Sequence, residues 1–178
     1  ILHSNVIGIY NVFEACHQVG VKRVIYASSI MTNLGYQFDE PYKAIKECRF
    51  DDVPENIPII TRRDPTRPTE PYSASKVWGE GLARMYSDVH GLSCLVLRIG
   101  WVNAEDNPYP PELGAVWCSR RDIVQLTERC IEAPADLRFD IFYGMSKNRY
   151  CWVDIDHGRE VVGFAPQDSA EDRIGPGR

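Results

Sequence analysis

The sequence predicts an α/β fold, part of a doubly wound parallel sheet, on three observations. Segments of helical period alternate with short β-branched runs; those runs are continuously apolar; and the first two helix-to-strand passages carry a glycine, Gly20 and Gly91. A strand covered on both faces by helices needs no polar side, so continuous runs point to a buried parallel sheet.

From Ile1 to Val19 the residues Val6, Ile9, Tyr10, Phe13 and Cys16 recur at helical spacing, and Gly20 reads as the stop. The chain opens with Ile1-Leu2-His3 already inside that pattern, as a piece of a longer protein would. Val21 to Ala27 follows as a strand buried on both faces and ends at Ser28-Ser29. Phe38 to Pro71 is crowded with proline and charge, which predicts a long surface excursion with at most one short helix. Tyr72 to His90 is helical, with Ala74, Trp78, Leu82, Met85 and Val89 on one stripe and Gly91 behind it. Ser93 to Ile99 is a second buried strand, and Ala104 to Ala115 a proline-rich loop. Ser119 and Asp122 have the spacing of a capping box for a helix to about Ala133. Phe139 to Tyr143 reads as a strand, Asp154 to Val162 as a short helix stopped by Gly163, and the last ten residues as polar tail.

With 178 residues, 44% of them hydrophobic, the chain is long enough for one globular body and short for two full domains. It carries 25 acidic against 20 basic residues and no basic run, which argues against a nucleic-acid partner. No apolar run approaches the ~18 residues of a membrane span, so no membrane partner is expected and a cytoplasmic protein is. Its six cysteines form no C-x-x-C pair and read as reduced, mostly buried thiols, and the four histidines are dispersed, so no metal site is expected.

Pro71-Tyr72-Ser73-Ala74-Ser75-Lys76 carries the chemistry. Tyr72 and Lys76 lie one helical turn apart on one face, where an ammonium favours the phenolate and lets the tyrosine exchange a proton with a substrate hydroxyl. Ser29, at a strand's C-terminal end where open parallel sheets bind ligands, would hold the same oxygen. Tyr42 and Lys46 match the spacing too. They lack the sustained helix and following strand that make a rigid platform, and read as a solvated turn in the excursion.

Together with Asn5-Val6-Ile7-Gly8, Arg23 to Ser29, Gly79-Glu80 and Leu97 to Gly100, this pattern resembles the extended short-chain dehydrogenases, the NAD-dependent epimerase/dehydratase family. Trp117 to Asp122 and Tyr143 to Ser146 are most similar to its uronate dehydrogenase-like branch. The resemblance implies a Rossmann-like sheet with a small C-terminal substrate-binding region. It also implies an NAD- or NADP-dependent oxidoreductase acting on a sugar-like hydroxyl, working as a homodimer paired through the helices Ile1–Val19 and Tyr72–His90. Epimerisation or dehydration of a nucleotide sugar, or a non-catalytic sensing role, are the alternatives.

By the same resemblance Ser29, Tyr72 and Lys76 are catalytic, and Ala27, Ser28, Tyr72, Lys76, Ile99 and Trp101 would line the cofactor. Asn5, Ser29, Ile30 and Glu112 would face the substrate, although Asn5 fits helix packing equally well and Arg98 is either functional or a structural charge. Glu112 stands where uronate dehydrogenases carry an arginine for the substrate carboxylate, so a neutral sugar is expected rather than a uronate. No G-x-x-G-x-x-G turn for a pyrophosphate occurs among the 178 residues, Gly175-Pro176-Gly177 being tail. The adenine-binding half is therefore expected upstream of Ile1, and the 178 residues alone are expected not to bind NAD(P).

Overall fold

The structure, a computed structural model, describes residues 1–174. Gly175-Pro176-Gly177 lies outside the described residues.

Strands β1 (Arg23–Ser29), β2 (Ser93–Ile99) and β3 (Phe139–Gly144) form a parallel sheet of order β1-β2-β3. The register sets Ser29 opposite Ile99 and Ile99 opposite Gly144, so the three C-terminal ends finish in one row. Among the described residues six α-helices accompany them: α1 (Ile9–Gln18), α2 (Tyr42–Lys46), α3 (Pro71–His90), α4 (Arg120–Glu132), α5 (Asp156–Val162) and α6 (Ala170–Ile174).

β2 shows why this sheet is covered on both sides. Its alternate residues Cys94 and Val96 join Phe13 of α1 and Leu82, Ala83 and Tyr86 of α3 in one core. Leu95 and Leu97 join Leu126 and Cys130 of α4, with Phe142 and Phe164, in another. Each such fully buried aliphatic side chain contributes ~1.5–3 kcal/mol relative to exposure. β1 departs from the expectation of burial on both faces. It is an edge strand, half-buried over Arg23 to Ile25 and exposed at Ala27.

A third core sits beyond the strand ends. Tyr42 and Ile45 of α2 pack there with Ile30, Ile60, Val116, Met145 and Trp152. This core is built jointly by the excursion and the C-terminal segments. The excursion is correspondingly more ordered than expected: 3-10 turns at Leu34–Phe38 and Phe50–Asp52 flank α2. Tyr42 is no solvated residue either, its ring being buried and its hydroxyl donating to the Pro58 carbonyl at 3.0 Å.

Other departures have local causes. The first helix is π-wound over Leu2–Gly8 before becoming α, and at the junction Gly8 leaves room for the His3 carbonyl. Of the expected stripe on α3 only Leu82 is buried; Ala74, Trp78, Met85 and Val89 face outward, Trp78 at 46% and Val89 at 68% exposure, because Ser73, Gly79, Ala83 and Tyr86 join Leu82 on the face that packs on the sheet. A 3-10 turn, Pro111–Val116, closes the proline-rich loop. Ser119 caps α4 by accepting from Asp122 N at 3.1 Å, but the return half of the box is missing. Ser119 N donates instead to Ser146 Oγ, whose own proton goes to Asp122. Part of the expected tail is helical too, with Ala170 buried.

Candidate active site

The row of strand ends and the N-terminus of α3 enclose a cleft of about 460 Å³. Pro71 opens the helix, its fixed φ suiting the first turn and its missing N–H costing nothing there. Ser73 Oγ accepts from the Glu70 and Thr69 amides, which fixes the entry of the chain into the helix. Tyr72 and Lys76 then project from one face, both half-buried.

Lys76 Nζ donates to the Ala27 carbonyl at 2.8 Å and stands 5.5 Å from the centroid of the Tyr72 ring. Burial pushes the Lys76 pKa below the ordinary lysine value. Gly79 lets Tyr26 of β1 lie against the helix, since a Cβ there would collide with the Tyr26 hydroxyl. The Tyr26 ring in turn forms a second wall 5.5 Å from Lys76 Nζ.

Ser29 is buried, and its Oγ accepts from Met31 N at 3.2 Å as the cap of the 3-10 turn Ile30–Thr32. A hydroxyl that accepts in this way keeps its own proton to donate. Ser28 is tied differently, donating to Glu80 Oε1 at 2.6 Å. Glu80 also takes both arms of Arg98, at 2.9 and 2.8 Å, and Arg98 reaches the Tyr143 hydroxyl at 2.8 Å. Arg98 is 2% exposed, so of the two readings open from the sequence the geometry favours a structural charge. Desolvation works against that charge, yet the hydrogen bonds to Glu80 and Tyr143 and the Glu80 charge leave its pKa raised. This buried chain joins β1, α3, β2 and β3 beneath the cleft.

Of the residues expected at the site, Ala27, Ser28, Ser29, Ile30, Tyr72, Lys76, Ile99 and Trp101 line the cleft. Asn5 and Glu112 do not. Asn5 donates to Ser75 Oγ at 3.0 Å, which donates to the Tyr72 carbonyl at 2.6 Å, so Asn5 braces the first turn of α3 from outside. Glu112 is exposed on the turn Pro111–Val116, where it is close enough to Cys48 to help raise that thiol's pKa, after burial. Its neighbours Leu113 and Val116 face the cleft instead. The sequence reading also omitted Met31 and Leu34, which follow Ser29 on 3-10 turns, and Glu70. Glu70 had a signal, since it directly precedes Pro71-Tyr72.

Residues 1–117 match the model of the NAD dependent epimerase/dehydratase family. The chain is 35% identical over 175 residues to an NAD-dependent glucose-6-phosphate dehydrogenase of Haloferax volcanii, covering 96% of this chain and 62% of that protein. Against a uronate dehydrogenase of Pseudomonas putida it is 34% identical over 171 residues, covering 96% and 56%. Among solved structures, uronate dehydrogenase from Agrobacterium tumefaciens superposes with a TM-score of 0.77 at 34% identity, over 97% of this chain and 56% of that one. The chain thus spans a little over half the length of these relatives.

Proposed function

Because the chain belongs to the NAD dependent epimerase/dehydratase family, we propose that it is the catalytic and substrate-binding part of an NAD(P)-dependent oxidoreductase acting on a hydroxyl of a sugar or sugar derivative. The observation that carries this reading is the convergence of Ser29, Tyr72 and Lys76 on one cleft at the C-terminal ends of parallel strands. The names of the relatives, which are dehydrogenases, favour oxidation over epimerisation.

The residues present fit the nicotinamide end of such a cofactor. Ala27, Ile99 and Gly100 offer a floor free of charge, and the Lys76 ammonium, having given one hydrogen to Ala27, retains donors for ribose hydroxyls. NAD(P), when bound, supplies the hydride acceptor. Ser29 Oγ donates to the reacting oxygen of the substrate and orients it. Tyr72 Oη takes the hydroxyl proton as the carbon–hydrogen bond breaks and the carbon–oxygen double bond forms, with the Lys76 ammonium beside its ring. In the reverse direction the tyrosine returns the proton.

The decisive experiment is Tyr72→Phe in a complete protein that adds the cofactor-binding half to these residues, followed by NADH formation from a panel of aldoses. Turnover should fall about 10²–10⁴-fold with the circular dichroism unchanged. Retention of turnover would remove the tyrosine from the reaction.

We place the protein in the cytosol, where unpaired thiols persist; all six cysteines are free, and among the described residues no helix is long and apolar enough to cross a membrane. Pairing of two copies through α1 and α3 is part of the same reading. Leu2 at 72% exposure and Ile7 on the π-wound turns before α1, with Trp78, Met85 and Val89 on α3, leave apolar surface for a second copy to cover. Light scattering across micromolar concentrations would show a monomer if it were wrong.

A further inference from the structure

We propose that Glu70 sets substrate specificity, accepting hydrogen bonds from the hydroxyls of an uncharged sugar and excluding sugars that carry a carboxylate or phosphate. This rests on reading the cleft as a sugar-oxidising site. It departs from the relatives named for a uronate and for a sugar phosphate, and agrees with another, an L-arabinose 1-dehydrogenase of Haloferax volcanii, which is named for a neutral sugar.

The inventory of the cleft leads there by elimination. Its polar side chains include Ser28, Ser29, Glu70, Tyr72 and Lys76, and most of the remainder, such as Ile30, Met31, Leu34 and Val102, are apolar. Ser28 is committed to Glu80, and Lys76 to Ala27 and the cofactor. Ser29 and Tyr72 meet the reacting oxygen. Among charged and hydroxyl-bearing groups lining the cleft, that leaves Glu70 for the other hydroxyls of a sugar, each of which loses water on entry and needs a partner.

Glu70 is suited to the task. It stands exposed at the N-terminus of α3, where the helix favours a negative charge, with its side chain in the capping-box arrangement toward Ser73. Two carboxylate oxygens offer about four acceptor sites and no donor. Lone pairs not used by the cap therefore remain for substrate O–H groups. A second anion in the same 460 Å³ would instead face a like charge, with Lys76 the one cationic side chain that the described residues bring to the wall and already engaged. The preference for a neutral sugar thus lies with Glu70 rather than with Glu112, which is outside the cleft.

The test compares D-glucose and D-galactose with D-glucuronate and D-galacturonate, pairs that differ only at C6, in a complete protein that adds the cofactor-binding half to these residues and in its Glu70→Gln variant. The native protein should favour the neutral member of at least one pair by about tenfold or more in kcat/KM, and Glu70→Gln should shrink that ratio about tenfold, since discrimination built on hydrogen bonding and charge is lost with the group. The change should fall on KM, lower for the acid and higher for the neutral sugar, while the thermal midpoint holds because Gln can still cap the helix. A midpoint shift without a change in the ratio is what a purely structural cap would produce, and overturns the proposal. So does a native preference for the uronates, which leaves the oxidoreductase reading standing. Oxidation of none of the four overturns both.

Discussion

Tyr42 and Lys46 share the Tyr-x-x-x-Lys spacing of Tyr72 and Lys76, and both pairs lie on helices. The first pair is split by its surroundings: Tyr42 is 6% exposed in the core beyond the strand ends, while Lys46 faces solvent. The second pair stays together, half-buried at one cleft, because Lys76 is anchored to Ala27 of β1 and Gly79 admits Tyr26 against the helix. Spacing on a helix places two side chains on one face. Whether they share an environment depends on what that face meets, and only at α3 does it meet the open end of a parallel sheet.

The sharpest way to break this contrast is to remove the two hydroxyls separately. Tyr72→Phe should cost about 10²–10⁴-fold in turnover. Tyr42→Phe should leave turnover where it was, and a catalytic collapse from it would reverse the roles assigned to the two pairs.

Next in size is the platform that α2 lacks. Arg98→Met leaves the Glu80 carboxylate buried without its guanidinium, and breaking such a pair costs about 3–5 kcal/mol. Denaturant unfolding should show that loss; a change below ~1 kcal/mol would mean that the chain from Ser28 through Glu80 to Tyr143 does not hold the strand ends in place.

A smaller effect is expected at the other tyrosine. Tyr42→Phe removes the hydrogen bond to Pro58 and should lower stability by about 0.5–1.5 kcal/mol. No loss at all would indicate that water replaces the hydroxyl and that α2 is less tightly docked than its burial implies.

The smallest effect concerns the two lysines. Burial lowers the Lys76 pKa in the folded protein, so the unfolded chain binds more protons between the folded value and the ordinary value of 10.5, and stability rises with pH through that window. In Lys76→Met this rise should disappear, whereas Lys46→Met should keep it. Thermal midpoints from neutral to alkaline pH decide the matter, and parallel curves for native protein and Lys76→Met would show that the lysine is not desolvated.

How much of this could be read without coordinates differs from one feature to the next. The strands and main helices were legible because each depends on a local pattern: the β-branched run at Val24–Ile25, the wholly apolar Cys94 to Leu97, the glycine stops at Gly91 and Gly163. Ser29, Tyr72 and Lys76 were legible as candidates because a strand end and one helical turn suffice to nominate them. α3 marks the limit. It carries two apolar stripes, Trp78-Met85-Val89 and Leu82-Ala83-Tyr86, and period alone cannot say which one packs on the sheet.

By itself, then, the sequence determined the order of elements, the parallel sheet and the residues able to do the chemistry, since these follow from neighbours within a turn or a strand. The tertiary structure alone decided that α2 is core, that Arg98 belongs to a buried ion pair, that Asn5 braces Tyr72 from outside, and that Glu70 rather than Glu112 lines the cleft. Each of these depends on contacts between residues distant along the chain. Such contacts are selected by which surfaces can be packed together without leaving a buried charge or hydrogen-bonding group unpaired, a condition on the whole molecule that no local pattern records.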